Sequence, residues 1–151
     1  EFAGAVAIGL ERTAGYLAWR FVEKPTREYT TWGLERDGRL AAYLVTRSSV
    51  LFGVPCVVLM DFGCERGEDG ALAALIAARL AAERRAGVAL AVAVGLHPFF
   101  SRLARLGFVR VPERLEPRPL NLVGKPLAPG IGEDLLDPSR WLITLADWDV
   151  F

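Results

Sequence analysis

Pro55-Cys56-Val57-Val58-Leu59-Met60-Asp61-Phe62-Gly63-Cys64 decides the fold. Its centre, Val57 to Phe62, reads as a buried strand, an apolar run interrupted by a single carboxylate. Cys64-Glu65-Arg66-Gly67-Glu68-Asp69-Gly70 reads as a loop entering a helix. From about Asp69 to Arg85, Leu72, Leu75, Ile76 and Leu80 recur at intervals of three and four and share one helical face. Gly87 stops that helix. Val88 to Val94 is a second buried apolar run. Two such strands joined by one helix make a parallel βαβ unit. The N-terminus of the joining helix then offers amides and a positive dipole end to an anion.

Working outward towards the N-terminus, Thr30 to Glu35 and Leu40 to Val45 are strand-like. Arg36-Asp37-Gly38-Arg39 between them carries the Asp-Gly signal of a hairpin. Phe52-Gly53-Val54-Pro55 is a second turn, so the strand at Cys56 is the third of an antiparallel series. Glu11 to Val22 has helical spacing and ends before Pro25. Phe2 to Leu10 reads as a strand or a buried connector. Towards the C-terminus, Pro98 suits a first helical position. Phe99, Phe100, Leu103 and Leu106 form an inward stripe, Gly107 ends the helix, and a strand is expected over Phe108 to Val111. Pro112 to Pro138 is rich in Pro and Gly, with a short strand expected at Leu120 to Val123. Trp141 to Leu145 is the last expected strand.

Length and composition bound the function. The 151 residues suit one domain, and 52% hydrophobic residues suit a compact core with a face left to meet another domain or subunit. The formal net charge is zero, which gives no global electrostatic case for nucleic acid or an anionic membrane. No run of apolar residues is long enough to span a bilayer. Cys56 and Cys64 are the only cysteines and His97 is the only histidine, so neither a disulfide framework nor a zinc site is expected. A cytoplasmic location follows from the same reading. The start, Glu1-Phe2-Ala3-Gly4, is neither an initiator Met nor a signal peptide, and suggests a domain excised from a longer chain.

The order helix, hairpin, strand, helix, strand, helix-Gly-Phe, strand resembles the GCN5-related N-acetyltransferase (GNAT) superfamily. The resemblance rests on Arg36-Asp37-Gly38-Arg39, on the strand Val57 to Phe62, and on Leu103-Ala104-Arg105-Leu106-Gly107-Phe108. Tyr16-Leu17-Ala18-Trp19-Arg20 with Pro25 and Tyr29, and the closing Trp141 to Asp149, resemble the C-terminal module of two-module GNAT-like proteins. The fold it implies for residues 1–151 is α/β (α+β). Its sheet is mixed and mostly antiparallel, with a central parallel βαβ pair and helices on both faces.

What the resemblance implies about function is specific. The two parallel strands splay apart, and acetyl-CoA or another acyl-CoA lies in the gap as co-substrate. Phe62, Gly63, Cys64, Arg66, Gly67, Gly70 and Ala71 would line or hold it, with amides from Gly67 to Ala71 on the pyrophosphate. The acceptor would be a small-molecule amine, an amino sugar or a peptide, and the acyl group would move by direct attack. A preceding domain or a homodimer partner is also implied. Two departures stand out. Glu65, Glu68 and Asp69 make the phosphate loop acidic. Leu103 stands where many family members carry the tyrosine that protonates the leaving thiolate. These departures favour a second reading, a GNAT-like binding or interaction module without catalysis.

Individual residues carry open alternatives. Asp61, in a buried run, is either a base with a raised pKa or a carboxylate bonded to amides or an Arg at the strand's exit. His97 follows the second core strand, where it can act as a base or cap the helix that starts at Pro98. Cys64 is a nucleophile if a base is near, and otherwise a small half-buried residue. Cys56 is structural. Trp19, Trp32 and Tyr43 read as core or interface aromatics. Asp147 and Asp149 flank Trp148 and either bind a cationic substrate or are solvated. Arg12, Arg20, Arg27, Arg36, Arg39 and Arg47 are too scattered to form one phosphate patch, and Arg79, Arg84 and Arg85 read as the outer face of a helix.

Overall fold

Two tight turns organise the sheet. Asp37 and Gly38 both have positive φ, 52° and 73°, and so do Phe52 and Gly53, 51° and 79°. This is the pattern of turns that continue the twist of the flanking strands. The computed structural model describes residues 8–23, 27–96, 99–112, 114, 135 and 137–148. In chain order these form β1 (Ile8–Gly9), α1 (Ala14–Phe21), β2 (Thr30–Arg36), β3 (Arg39–Leu51), β4 (Val54–Cys64), α2 (Asp69–Arg85), β5 (Leu90–Ala93), α3 (Phe100–Leu103) and β6 (Trp141–Leu142). Short 3-10 turns cover Ala104–Leu106, Pro138–Arg140 and Leu145–Asp147.

The fold is a mixed α+β arrangement. The larger sheet runs β2-β3-β4-β5, with β2, β3 and β4 antiparallel and β4-β5 parallel. A second sheet pairs β1 with β6 in parallel, and Leu96 joins the two sheets through an antiparallel bridge to Ile143. The βαβ unit therefore lies where the sequence places it, and α2 spans Asp69–Arg85. The strand expected at Phe108 to Val111 does not form; those residues are irregular. The strand expected over Trp141 to Leu145 is cut to two residues, because Thr144 caps a 3-10 turn through its hydroxyl. Helix α1 starts at Ala14 rather than Glu11, because the Thr13 side chain accepts from the Tyr16 amide. The expectations at Phe2 to Ala7, Lys24 to Thr26, His97, Pro98 and Leu120 to Val123 lie outside the described residues.

Strand alternation divides the core in two. On one face, Ala42, Leu44, Leu59 and Phe62 pack with Leu72, Leu75 and Ile76 of α2 and with Phe99 and Leu103. On the other face, Tyr43, Val45 and Met60 pack with Phe21 of α1 and with Leu145 and Ala146. One irregularity positions the candidate site. Thr46 pairs with Leu59 and Val45 with Asp61, so Met60 is an extra residue in β4. The bulge re-aims the chain. Met60 packs, and Asp61 bonds, on the face opposite α2, while Leu59 and Phe62 stay on the α2 face.

Candidate functional site

Strands β4 and β5 pair only from Cys56↔Leu90 to Leu59↔Ala93. Beyond that point β4 continues to Cys64 against β3, while the chain after β5 turns away to the Leu96↔Ile143 bridge. Gly95 makes the departure, at φ 143°, where a Cβ would lie 2.0 Å from the Ile143 carbonyl oxygen. The edge of residues 60–64 that faces away from β3 thus has no strand partner among the described residues. The bulge at Met60 sits where the two strands part.

The loop after β4 leads straight into α2. Gly67 has φ 87°, in the left-handed region, and a Cβ at either Gly67 or Gly70 would meet nothing within 4 Å. The surface above both is open. The acidity of this loop is answered by arginines from elsewhere. Arg39 bonds Glu65 at 2.9 Å, Arg36 bonds both oxygens of Glu68 at 2.9 and 2.7 Å, and Arg102 lies 2.5 Å from Asp69. Two come from the β2–β3 hairpin and one from α3. Arg66 is exposed and makes no ion pair among the described residues. The local charge is therefore balanced, contrary to what the loop's own sequence suggests.

The residues expected on a ligand divide. Gly67 and Gly70 lie on the open surface, and Gly63 and Cys64 end the stretch of β4 that pairs with β3 but not with β5. Phe62 points into the core, 2% exposed and edge-on to Phe99 and Phe100, so only its backbone faces the gap. Ala71 is buried and its amide donates to the Glu68 carbonyl at 2.9 Å. The amides of Asp69 and Gly70 are the ones a helix start leaves without intrahelical acceptors. Cys64 is half-buried, and burial followed by the Asp69 charge pushes its thiol up, which keeps it protonated and poorly nucleophilic. Leu103 is 2% exposed in the α2-side core and presents no proton to transfer.

Asp61 is the centre of a closed polar network. It is fully buried. The Arg12 guanidinium donates to both its oxygens, at 3.0 and 3.3 Å. Tyr43 donates to Oδ2 at 3.0 Å and Thr144 to Oδ1 at 2.7 Å. Arg12 also bonds both oxygens of Asp147, at 2.9 and 2.7 Å, and the Leu10 carbonyl at 3.0 Å. The Thr144 amide donates to Asp147 at 2.9 Å. Burial pushes the Asp61 carboxyl up, while Arg12, Thr144 and Tyr43 act in the opposite sense. Burial and the same carboxylate push the Tyr43 phenol up. With four donors on two oxygens, Asp61 is placed as the anchor of Arg12, and the carboxylate paired with an Arg is the alternative this geometry fits. Asp147 does hold a cation, but the cation is Arg12.

Arg12, Tyr43 and Thr144 have no motif that singles them out. They lie 49, 18 and 83 residues from Asp61. The one trace in sequence is Gly63, which pairs with Tyr43; a Cβ there would come within 2.8 Å of the Tyr43 ring. Gly63 is what lets that ring lie flat enough to reach Asp61. Arg79 is also not a free outer-face residue: it pairs with Glu83 and lies over the Trp32 ring at 5.4 Å. Among the described residues no cluster of three metal-ligating side chains occurs, and no helix is long and apolar enough to cross a membrane. No family model, curated protein or solved structure matches the chain.

Proposed function

We propose that the chain is an acyl-CoA-dependent N-acyltransferase of the GNAT type, moving an acetyl or other acyl group to a small amine, amino sugar or peptide. The observation that carries this reading is the parting of β4 and β5 after Leu59↔Ala93, directly before a loop that enters α2 beneath an open surface. The backbone of residues 60–64 would hold the pantetheine arm as an added strand does. The amides of Asp69 and Gly70, with Arg66 beside them, would receive the pyrophosphate. The balanced charge of the loop removes the repulsion its acids would otherwise exert.

The amine attacks the thioester carbonyl; the C–N bond forms, the C–S bond breaks, and thiol leaves. The protein contributes positioning and a backbone amide for the developing oxyanion. Asp61 supplies geometry rather than a base, because its lone pairs are engaged. The base role proposed for His97 rests on the sequence, since His97 lies outside the described residues. Two observations favour the second reading, a GNAT-like module that binds without catalysing: Leu103 is buried and apolar, and Asp61 is sealed.

A thermal-shift titration with CoA and acetyl-CoA separates these. The transferase reading expects a rise in melting temperature that saturates, whereas a module that only pairs with another domain expects none. Gly70→Glu, at a position where a side chain meets nothing, should keep the fold and lose the rise. Absence of any rise at millimolar CoA sinks the slot. Thiol release from acetyl-CoA in the presence of an amine panel then distinguishes transfer from binding alone.

A further inference from the structure

Four arginines among the described residues are buried or half-buried: Arg12, Arg20, Arg47 and Arg79. Three have an ionic or carbonyl partner, although the Arg79 Nε is itself buried without a hydrogen bond. Arg12 bridges two aspartates, Arg20 donates to the carbonyls of Ala146 and Trp148, and Arg79 pairs with Glu83. Arg47 has no carboxylate within ion-pair distance among the described residues, and its Nη1 is buried without a hydrogen-bond partner. A half-buried cation without a counter-charge is costly, and such groups are nearly always paired.

A second orphan lies beside it. The Tyr29 hydroxyl is also buried and unpartnered. Tyr29 directly precedes Thr30 and Arg47 directly follows Thr46, so the antiparallel register, continued one step past the Thr30↔Thr46 pair, sets them opposite one another where β2 begins. They also share a face. Arg47 lies two residues beyond Val45 on β3 and pairs with Val58 of β4. Tyr29 and Val58 both pack on the cluster of Phe21, Tyr43, Val45 and Met60. Tyr29 is held there edge-on to Phe21, with ring centroids 5.1 Å apart. Two unsatisfied donors thus converge on the sheet face opposite α2.

We propose that Arg47 and Tyr29 form a binding site for a carboxylate. A guanidinium edge and one phenol O–H match the two oxygens of a carboxylate. A phosphate dianion would bring a second charge for which this face has no second free cation among the described residues. Val58, the partner of Arg47, immediately precedes the point where β4 and β5 part. Joined to the acyl-transfer reading, and resting on it, the site makes the acceptor an amine that also bears a carboxylate, such as an amino acid or a peptide end. The carboxylate site itself does not depend on that reading.

The test uses acetate as probe, without CoA. Acetate titrated at constant ionic strength should raise the melting temperature saturably, by about 3–5 °C at ten times a Kd of about 1–10 mM. Inorganic phosphate at the same ionic strength should not. Arg47→Met keeps the aliphatic stem and removes the charge; it should fold, as judged by circular dichroism, and lose the acetate response. Tyr29→Phe should weaken the response several-fold. An acetate response equal in wild type and Arg47→Met overturns the site, as does a wild-type chain that shows none or answers phosphate equally. Loss of CoA binding with acetate binding intact would reject the acyl-transfer reading and leave this site standing.

Discussion

The two faces of the β2–β5 sheet are built from different chemistry. The face under α2 is apolar: Leu44, Leu59, Phe62, Leu72, Ile76, Phe99 and Leu103 are nearly inaccessible and hold one another by packing. The face under α1 and the Leu145–Asp147 turn carries a buried salt-bridge network inside its apolar cluster. Packing on the first face is local and tolerant. The network on the second is directional, and every member depends on another. Removing one partner there strands a charge, whereas removing a methyl group on the other face leaves a void.

The sharpest way to break this comparison is Arg12→Ala. It leaves Asp61 and Asp147 buried without their cation, and should cost about 3–5 kcal/mol in chemical denaturation. A loss below about 1 kcal/mol would mean that the network only decorates the fold. Leu72→Ala, on the apolar face, should cost about 3 kcal/mol through the cavity it opens. That loss should be independent of salt and pH, unlike the Arg12 loss. Tyr43→Phe gives the finest resolution. It removes one charge-assisted bond to Asp61 and should cost about 1–2 kcal/mol at neutral pH. Burial raises the folded-state phenol above its ordinary value of 10.0. The stability tied to it is therefore complete below about pH 10 and drains away as pH rises towards the folded-state value. Tyr43→Phe should flatten that alkaline decline in unfolding curves followed from neutral to strongly basic pH. An unchanged alkaline slope would remove Tyr43 from the network's titration.

The same contrast explains what was legible in the chain. The α2 face follows from periodicity: Leu72, Leu75, Ile76 and Leu80 announce a helix, and Val57 to Phe62 announces the strand beneath it. The hairpin at Asp37-Gly38 announces its own turn. These signals are local, and the elements formed close to where they were expected. The polar face has no such period. Asp61 stands out in its apolar run, but nothing in the sequence connects it to Arg12, Thr144 or Asp147. The acidic loop misled for a related reason, since Arg36, Arg39 and Arg102 reach it from three other elements, β2, β3 and α3. The strand expected at Phe108 to Val111 did not form: the segment pairs with no strand among the described residues, and Val109 and Val111 are 86% and 52% exposed.

The pairing of β1 with β6 has a consequence for how the chain reaches this structure. Ile8 meets Trp141 and Gly9 meets Leu142, two contacts across nearly the whole length of the chain. The hairpins β2-β3-β4, by contrast, join neighbours in sequence. Closing the long loop costs conformational entropy that two parallel residue pairs repay poorly by themselves. The ends therefore gain by docking only once the central sheet offers Asp61 and the Gly95 turn to receive them. Folding kinetics should show the Arg12 clasp forming late, and its removal should speed unfolding more than it slows folding.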